Sequence, residues 1–189
     1  MTTLKSPPAD PPILIDRLPG GGFRITVTPP WRHWFSLIKE SSLAFGSCSG
    51  YHISWSQAAA VQNTWYNVSD TNIVDGQLDR VAHDGSGKLT VTNAGIYLCN
   101  VSFDWENSTA NDHIEYGFEV DGSGSAQTEG IICSETKFAN EEHSGATSAI
   151  FSLSADATVE FCVRTTDNNT PTITIGCLNL NVIQLKGLI

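Results

Sequence analysis

A chain of 189 residues with a formal net charge of −10 has room for one domain plus an appendage, and its acidity disfavours a nucleic-acid-binding role, because like charge repels phosphate. No run of eighteen apolar residues occurs, and the first residues lack the charged-then-apolar order of a secretory signal. Neither a membrane span nor secretion is expected, and synthesis in a cytoplasm is.

Seven of the eight prolines fall in the first thirty residues. Ser6-Pro7-Pro8-Ala9-Asp10-Pro11-Pro12 is biased to extended polyproline geometry and reads as a leash. Next, Trp31, Trp34, Phe35 and Ile38 recur at i, i+3, i+4 and i+7, the spacing of one helical face, just behind Pro29 and Pro30, which suit a helix start. These four residues are the candidate partner-binding anchor of the arm. Two readings stand open: the face docks on another molecule, or it plugs an open end of its own β body. Gly46-Ser47-Cys48-Ser49-Gly50 then reads as a hinge, which divides the chain into an arm at 1–50 and a body at 51–189. Charge sharpens the division. Residues 1–50 hold five basic and three acidic side chains, net +2, which leaves −12 on the body, a charge whose plain reading is solubility.

The body is strand text. In Gly95–Glu106 the residues Tyr97, Cys99, Val101, Phe103 and Trp105 share one face, while Asn100, Ser102, Asp104 and Glu106 mark the other as polar. Further strands are expected at Lys88–Thr92, Ile114–Val120, Gly130–Phe138, Ala146–Leu153, Thr158–Thr165 and Thr172–Leu185. Turn signals part them, at Asp84-Gly85-Ser86-Gly87, Asp121-Gly122-Ser123-Gly124, Ser154-Ala155-Asp156 and Asp167-Asn168-Asn169. The fold class is therefore all-β, a sandwich behind an extended arm with a short amphipathic helix.

The order of Leu89–Leu98, Ile114–Gly122, Ser152–Val163 and Leu178–Leu185, with a Gly-x-Tyr strand start at Gly95-Ile96-Tyr97, resembles the jelly roll shared by complement globular heads and tumour-necrosis-factor-like proteins. The resemblance covers roughly residues 65–185. It departs at Asp156-Ala157, where that family usually has Gly-Asp. It implies a jelly-roll β-sandwich and a homotrimer packed around a threefold axis. Tyr97, Phe103, Phe118 and Phe151 then serve either the sandwich core or a subunit interface. A proline-containing segment with a Trp-x-x-Trp-Phe phrase ahead of such a domain is similar to bacteriophage particle proteins. What this implies is a non-enzymatic structural protein: a capsid decoration, cement or head-fibre protein on the virion surface, made in the host cytoplasm. Residues 1–50 would anchor it to the major capsid protein or another virion protein. The alternative is a tail-fibre or tail-tip adhesin gripping a host surface, with Trp55, Trp65 or Trp105 stacking on sugar.

Other chemistry finds little footing. Cys48, Cys99, Cys133, Cys162 and Cys177 are odd in number and widely spaced, which suits buried thiols better than disulfides or zinc. Cys48 imitates the centre of a nucleophile elbow but has strand text behind it, and no His and carboxylate pair stands at a recognisable spacing. The five histidines read as isolated surface or turn residues, and the Asp-Gly-Ser-Gly turns lack the ligand run of a calcium loop. No enzyme activity, cofactor or metal is expected.

Overall fold

Alternation of apolar and polar side chains carries most of this chain into strands. The computed structural model describes residues 8, 13–17, 23–32, 43–58, 60–167 and 169–187, and of 13–17, 23–27 and 186–187 the backbone alone. They fall into two units, one from residues 1–42 and one spanning Leu43–Leu188.

In the first unit, β1 (Ile13–Arg17) and β2 (Phe23–Val27) form an antiparallel ribbon with Ile13 opposite Val27, Ile15 opposite Ile25 and Arg17 opposite Phe23. The arm is thus more than a leash. Its β-branched and aromatic residues favour strand pairing, and the intervening Leu18-Pro19-Gly20-Gly21-Gly22 carries a turn composition. Helix begins at Pro29, as expected, and covers 29–32, where the Arg32 N–H donates to the Thr28 carbonyl at 3.0 Å. Trp31 is half-buried there, whereas Trp34, Phe35 and Ile38 lie outside the described residues.

The described residues of the second unit form β3 (Phe45–Gln57), β4 (Tyr66–Asn67), β5 (Val74–Asp79), β6 (Val81–His83), β7 (Leu89–Val91), β8 (Gly95–Asn107), β9 (Asp112–Val120), β10 (Ile132–Thr136), β11 (Glu142–Leu153), β12 (Thr158–Thr165) and β13 (Ile173–Gly187). One sheet runs β11-β8-β13-β3-β5 and the other β10-β9-β12-β7-β6, with β4 beside β12. All pairings are antiparallel. This is a jelly-roll β-sandwich, and the long closing strand β13 lies centrally in its sheet, as its apolar text predicts.

The core fills the space between the sheets. Tyr97, Phe103, Phe118 and Phe151 all belong to it, which decides their role in favour of packing within the subunit. Phe103 meets Tyr116 edge-on at 4.6 Å between ring centroids and Phe161 at 4.5 Å. At the turn before β12, Asp156 takes φ +63°, the left-handed conformation that asparagine and aspartate tolerate among non-glycine residues.

Two expectations need correction. Gly46–Gly50 is no hinge: it lies within β3, which begins at Phe45 and runs straight across the expected boundary between residues 50 and 51. The small residues are there for close packing, since a Cβ on Gly46 would come within 2.4 Å of Val81. Nor is His83 a surface residue. Its side chain is 0% exposed, its Nδ1 lies 2.6 Å from Asp75 Oδ1, and its Nε2 accepts the Gly87 N–H at 3.0 Å. The accepting Nε2 places the proton on Nδ1, which therefore donates to Asp75.

Candidate functional site

The core-facing alternation of β3, β8, β11 and β13 leaves their other side chains on the open face of the five-stranded sheet. Register arranges them in rows. Phe45, Ile183, Leu98 and Ile150 stand side by side across four strands. Phe45 is 41% exposed, Ile183 42% and Ile150 58%, an apolar row that no described side chain of this unit covers fully. The next row is Ser47, Asn181, Asn100 and Ser148, and the one after it Ser49, Asn179, Ser102 and Ala146. Three consecutive rows on these strands therefore carry no charge, on a chain whose formal charge is −10. Depletion of charge around an apolar patch is the compositional mark of an interface core.

Toward the other end the face turns acidic. The fourth row is Tyr51, Cys177, Asp104 and Ser144, and beyond it Glu106 and Glu142 face each other across β8 and β11. The ladder is irregular at this point: β13 carries an extra residue, Gly176, against β8, and His52 on β3 takes φ +57°. Asp104 accepts the Cys177 N–H at the bulge, and a Cβ on Gly176 would meet the Asp104 carboxylate at 2.7 Å. Such bulges re-aim side chains. A cavity of about 740 Å³ opens over Tyr51, Ser102, Asp104, Ser144 and Asn179, with Tyr51 75% exposed at its mouth.

Four of the described cysteines have raised thiols. Burial pushes the Cys48 and Cys99 thiols up to about 12, with Asp84 and Asp75 adding to the effect on Cys48, and burial raises Cys162 as well. Cys177 is raised by burial and by its hydrogen bond to Asp104. The nucleophile is the thiolate, so these environments hold the thiols in their less reactive, protonated form. Among the described residues no group of three or more His, Cys, Asp or Glu side chains is placed to hold a metal ion. The Asp84 turn is closed instead by its own carboxylate, which accepts the N–H groups of Ser86, Gly87 and Lys88 at 2.7–3.1 Å.

The tryptophans considered for sugar stacking are occupied. Trp105 is buried and stacks on His143, Trp65 lies beneath the Arg164 guanidinium at 4.5 Å, and Trp55 packs against the core. Arg164 is itself held by Glu115 at 2.6 Å. The most exposed aromatic on this face among the described residues is Tyr51, at 75% against 41% for Phe45, and the sequence reading passed over it.

No protein-family model matches the chain, and no curated protein does. Among solved structures it is similar to the Eiger TNF of S. frugiperda, at 13% identity over 78% of this chain and 95% of that one, with a TM-score of 0.54. The chain has a tumour-necrosis-factor-like fold. Two structures of murine APRIL are similar as well, one at pH 5.0 (12% identity, 76% of this chain, 100% of that one, TM-score 0.48) and one at pH 8.5 (11%, 75%, 99%, 0.49). Within this tumour-necrosis-factor-like sandwich, the uncharged belt across β11, β8, β13 and β3, bordered on β5 by Asp79 beside Phe45, is the candidate site.

Proposed function

We propose that this chain is a non-enzymatic, homotrimeric structural protein of a bacteriophage particle: a capsid decoration, cement or head-fibre protein displayed on the virion surface. The segment ahead of the sandwich, with Trp31, Trp34, Phe35 and Ile38, attaches it to the major capsid protein or another virion protein. One observation carries the self-association, the uncharged belt headed by Phe45, Ile183, Leu98 and Ile150. Fully burying such a side chain stabilises by about 1.5–3 kcal/mol, so covering the row is worth several kcal/mol before the costs of association. Threefold closure is what the resemblance to tumour-necrosis-factor-like proteins implies, and cyclic closure satisfies such a face on every copy. The proline-rich, tryptophan-bearing arm supports attachment to a larger body, where three arms acting together gain avidity that one lacks.

Sedimentation of the full chain tests the assembly. The expected mass is three times the 20.4 kDa chain, and Ile183→Asp with Ile150→Asp is expected to give single chains with an unchanged β spectrum. A single-chain mass for the unaltered protein removes the trimer. Deleting residues 1–42 and measuring occupancy on purified particles tests attachment, and unchanged occupancy removes that role.

A second reading, a tail-tip adhesin, is favoured by Tyr51 at the mouth of the cavity beside Asp104 and Asn179, an aromatic plane with polar neighbours that suits a sugar ring. Binding of residues 43–189 to host cells, abolished by Tyr51→Ala, would select it over decoration.

A further inference from the structure

The acidic end of the open face and the loop at its edge are complementary. Two cavities of about 740 and 220 Å³ meet there at Tyr51, Asp104 and Cys177. The smaller is walled by Asp104, Glu106 and Glu142, and no described lysine or arginine lines either. Asp104 accepts the Cys177 N–H, whereas Glu106 makes no hydrogen bond or ion pair among the described residues. A half-buried carboxylate that directly faces a second one, Glu142, gains from a cation placed beside it.

A cation of that kind stands on the loop between β10 and β11, where Phe138 is 67% exposed and Lys137 is exposed beside it. Of the described lysine and arginine side chains in this unit, Arg80, Lys88 and Arg164 each lie against a carboxylate and Lys137 does not. The Asn140 N–H donates to the Asn107 carbonyl at 2.8 Å, so the loop sits at the level of Glu106 along the strands. It does so at the β11 edge of the sheet, whereas Tyr51 stands on β3, with β8 and β13 between. One chain therefore carries a cation and an aromatic ring on the sheet margin, and a groove of carboxylates and tyrosine across the sheet face. Two different surfaces that fit each other are what head-to-tail contacts need to close a ring.

We propose that the Lys137–Phe138 loop of one copy docks in this groove on the next, with Phe138 against Tyr51 and Lys137 between Asp104 and Glu106. This rests on the trimer reading above and continues the same interface, because the third row of the uncharged belt shares the larger cavity through Ser49, Ser102, Asn179 and Ala146. Rotation about an axis along the strands carries one copy onto the next without changing level, so a loop level with Glu106 meets the neighbour at its Glu106. Charge complementarity selects a second copy as the occupant: the exposed lysine and the carboxylates that lack a cation belong to the same chain, and every junction of a ring brings them together. Pairing of the two exposed aromatic rings adds to the area buried. Tyr51 is then covered in the assembly.

Sedimentation of the full-length chain across a dilution series, with urea added until the unaltered trimer dissociates within it, tests the docking with Lys137→Glu, Glu106→Lys and their combination. Each single change sets like charges against each other at every junction, so dissociation is expected at a chain concentration roughly tenfold higher or more. The combined variant is expected to return close to the unaltered midpoint. Because Lys137 and Glu106 share one chain, an equal mixture of the two single variants decides whether the contact crosses between copies. The mixture is expected to hold together better than either variant alone, since the loop of each meets the groove of the other. A mixture no better than its components overturns docking between copies, and a combined variant weakened by both changes together overturns the pairing. A trimer indifferent to all of these changes overturns the docking, leaves the trimer standing and frees the groove for the sugar of the second reading. A single-chain mass for the unaltered protein removes the trimer reading and the docking with it.

Discussion

Glu106 on β8 and Glu142 on β11 are direct cross-strand neighbours on the open face of the same sheet. Like charges so placed are destabilising, on the scale of about 0.2–1 kcal/mol. Glu142→Lys turns the repulsion into attraction. The melting temperature is expected to rise by about 1–4 °C for a chain of this size, most at low salt. A fall in the melting temperature would show that Glu142 is held by something other than its position in the ladder.

A second prediction concerns the closed end of the β8–β9 hairpin. Asp112 is fully buried, and its carboxylate accepts the Thr165 hydroxyl at 2.9 Å, the Asn107 amide at 3.0 Å and the Thr109 hydroxyl at 3.2 Å. Thr165→Val keeps the shape and removes one donor from the buried Asp112 side chain. The expected cost is about 1–3 kcal/mol, measured as a lower denaturant midpoint at unchanged slope. An unchanged midpoint would mean that the remaining donors suffice.

His113 and Asp167 give the fold a pH signature. His113 Nδ1 lies 2.8 Å from Asp167 Oδ2, and the pairing raises the imidazole and lowers the carboxyl, first through the hydrogen bond between them. A raised histidine contributes stability below its unfolded value of 6.5 and loses it as pH climbs through the folded value. The lowered Asp167 contributes above 3.8 and loses it as pH falls through its folded value. The pair thus acts fully between these limits and fades on both sides. Asp167→Asn is expected to lower stability within that window, to remove the pair's share of the fall on either side of it, and to bring the His113 titration, followed by nuclear magnetic resonance, down toward its ordinary value. An unmoved titration would dismiss the pairing in solution.

Thiol labelling should sort the cysteines by burial. Cys133 is exposed on β10, but partial burial and the nearby Glu115, Asp167 and Glu135 raise its thiol, so its alkylation is expected to lag a free cysteine at pH 8 and to keep climbing at higher pH. Cys48, Cys99 and Cys162 are buried and should label only on unfolding. Prompt labelling of these three in native protein would contradict the packing between the sheets.

Much of this architecture is written in local pattern. The period of two through Tyr97, Cys99, Val101, Phe103 and Trp105 predicts β8 and its inner face, and the structure buries all five. β12 runs over Thr158–Thr165, the span its text predicts. What escaped was local text that only distant partners explain. β3 is rich in Gly and Ser because Gly46 must pass close to Val81, and small residues in a strand resemble a hinge. His83 is buried only because Asp75 and Gly87 come to meet it from either side. The candidate interface is the extreme case. Phe45, Leu98, Ile150 and Ile183 are each unremarkable where they stand in the chain, and register alone makes them one row.

The bridge from Asp75 through His83 to Gly87 joins β5 of one sheet to the β6–β7 turn of the other. The sandwich is therefore latched along that flank. The opposite flank has a tie of its own, where the buried Thr147 hydroxyl of β11 donates to the Gly130 carbonyl just ahead of β10 at 3.0 Å, so a polar bond clasps the two sheets at both margins.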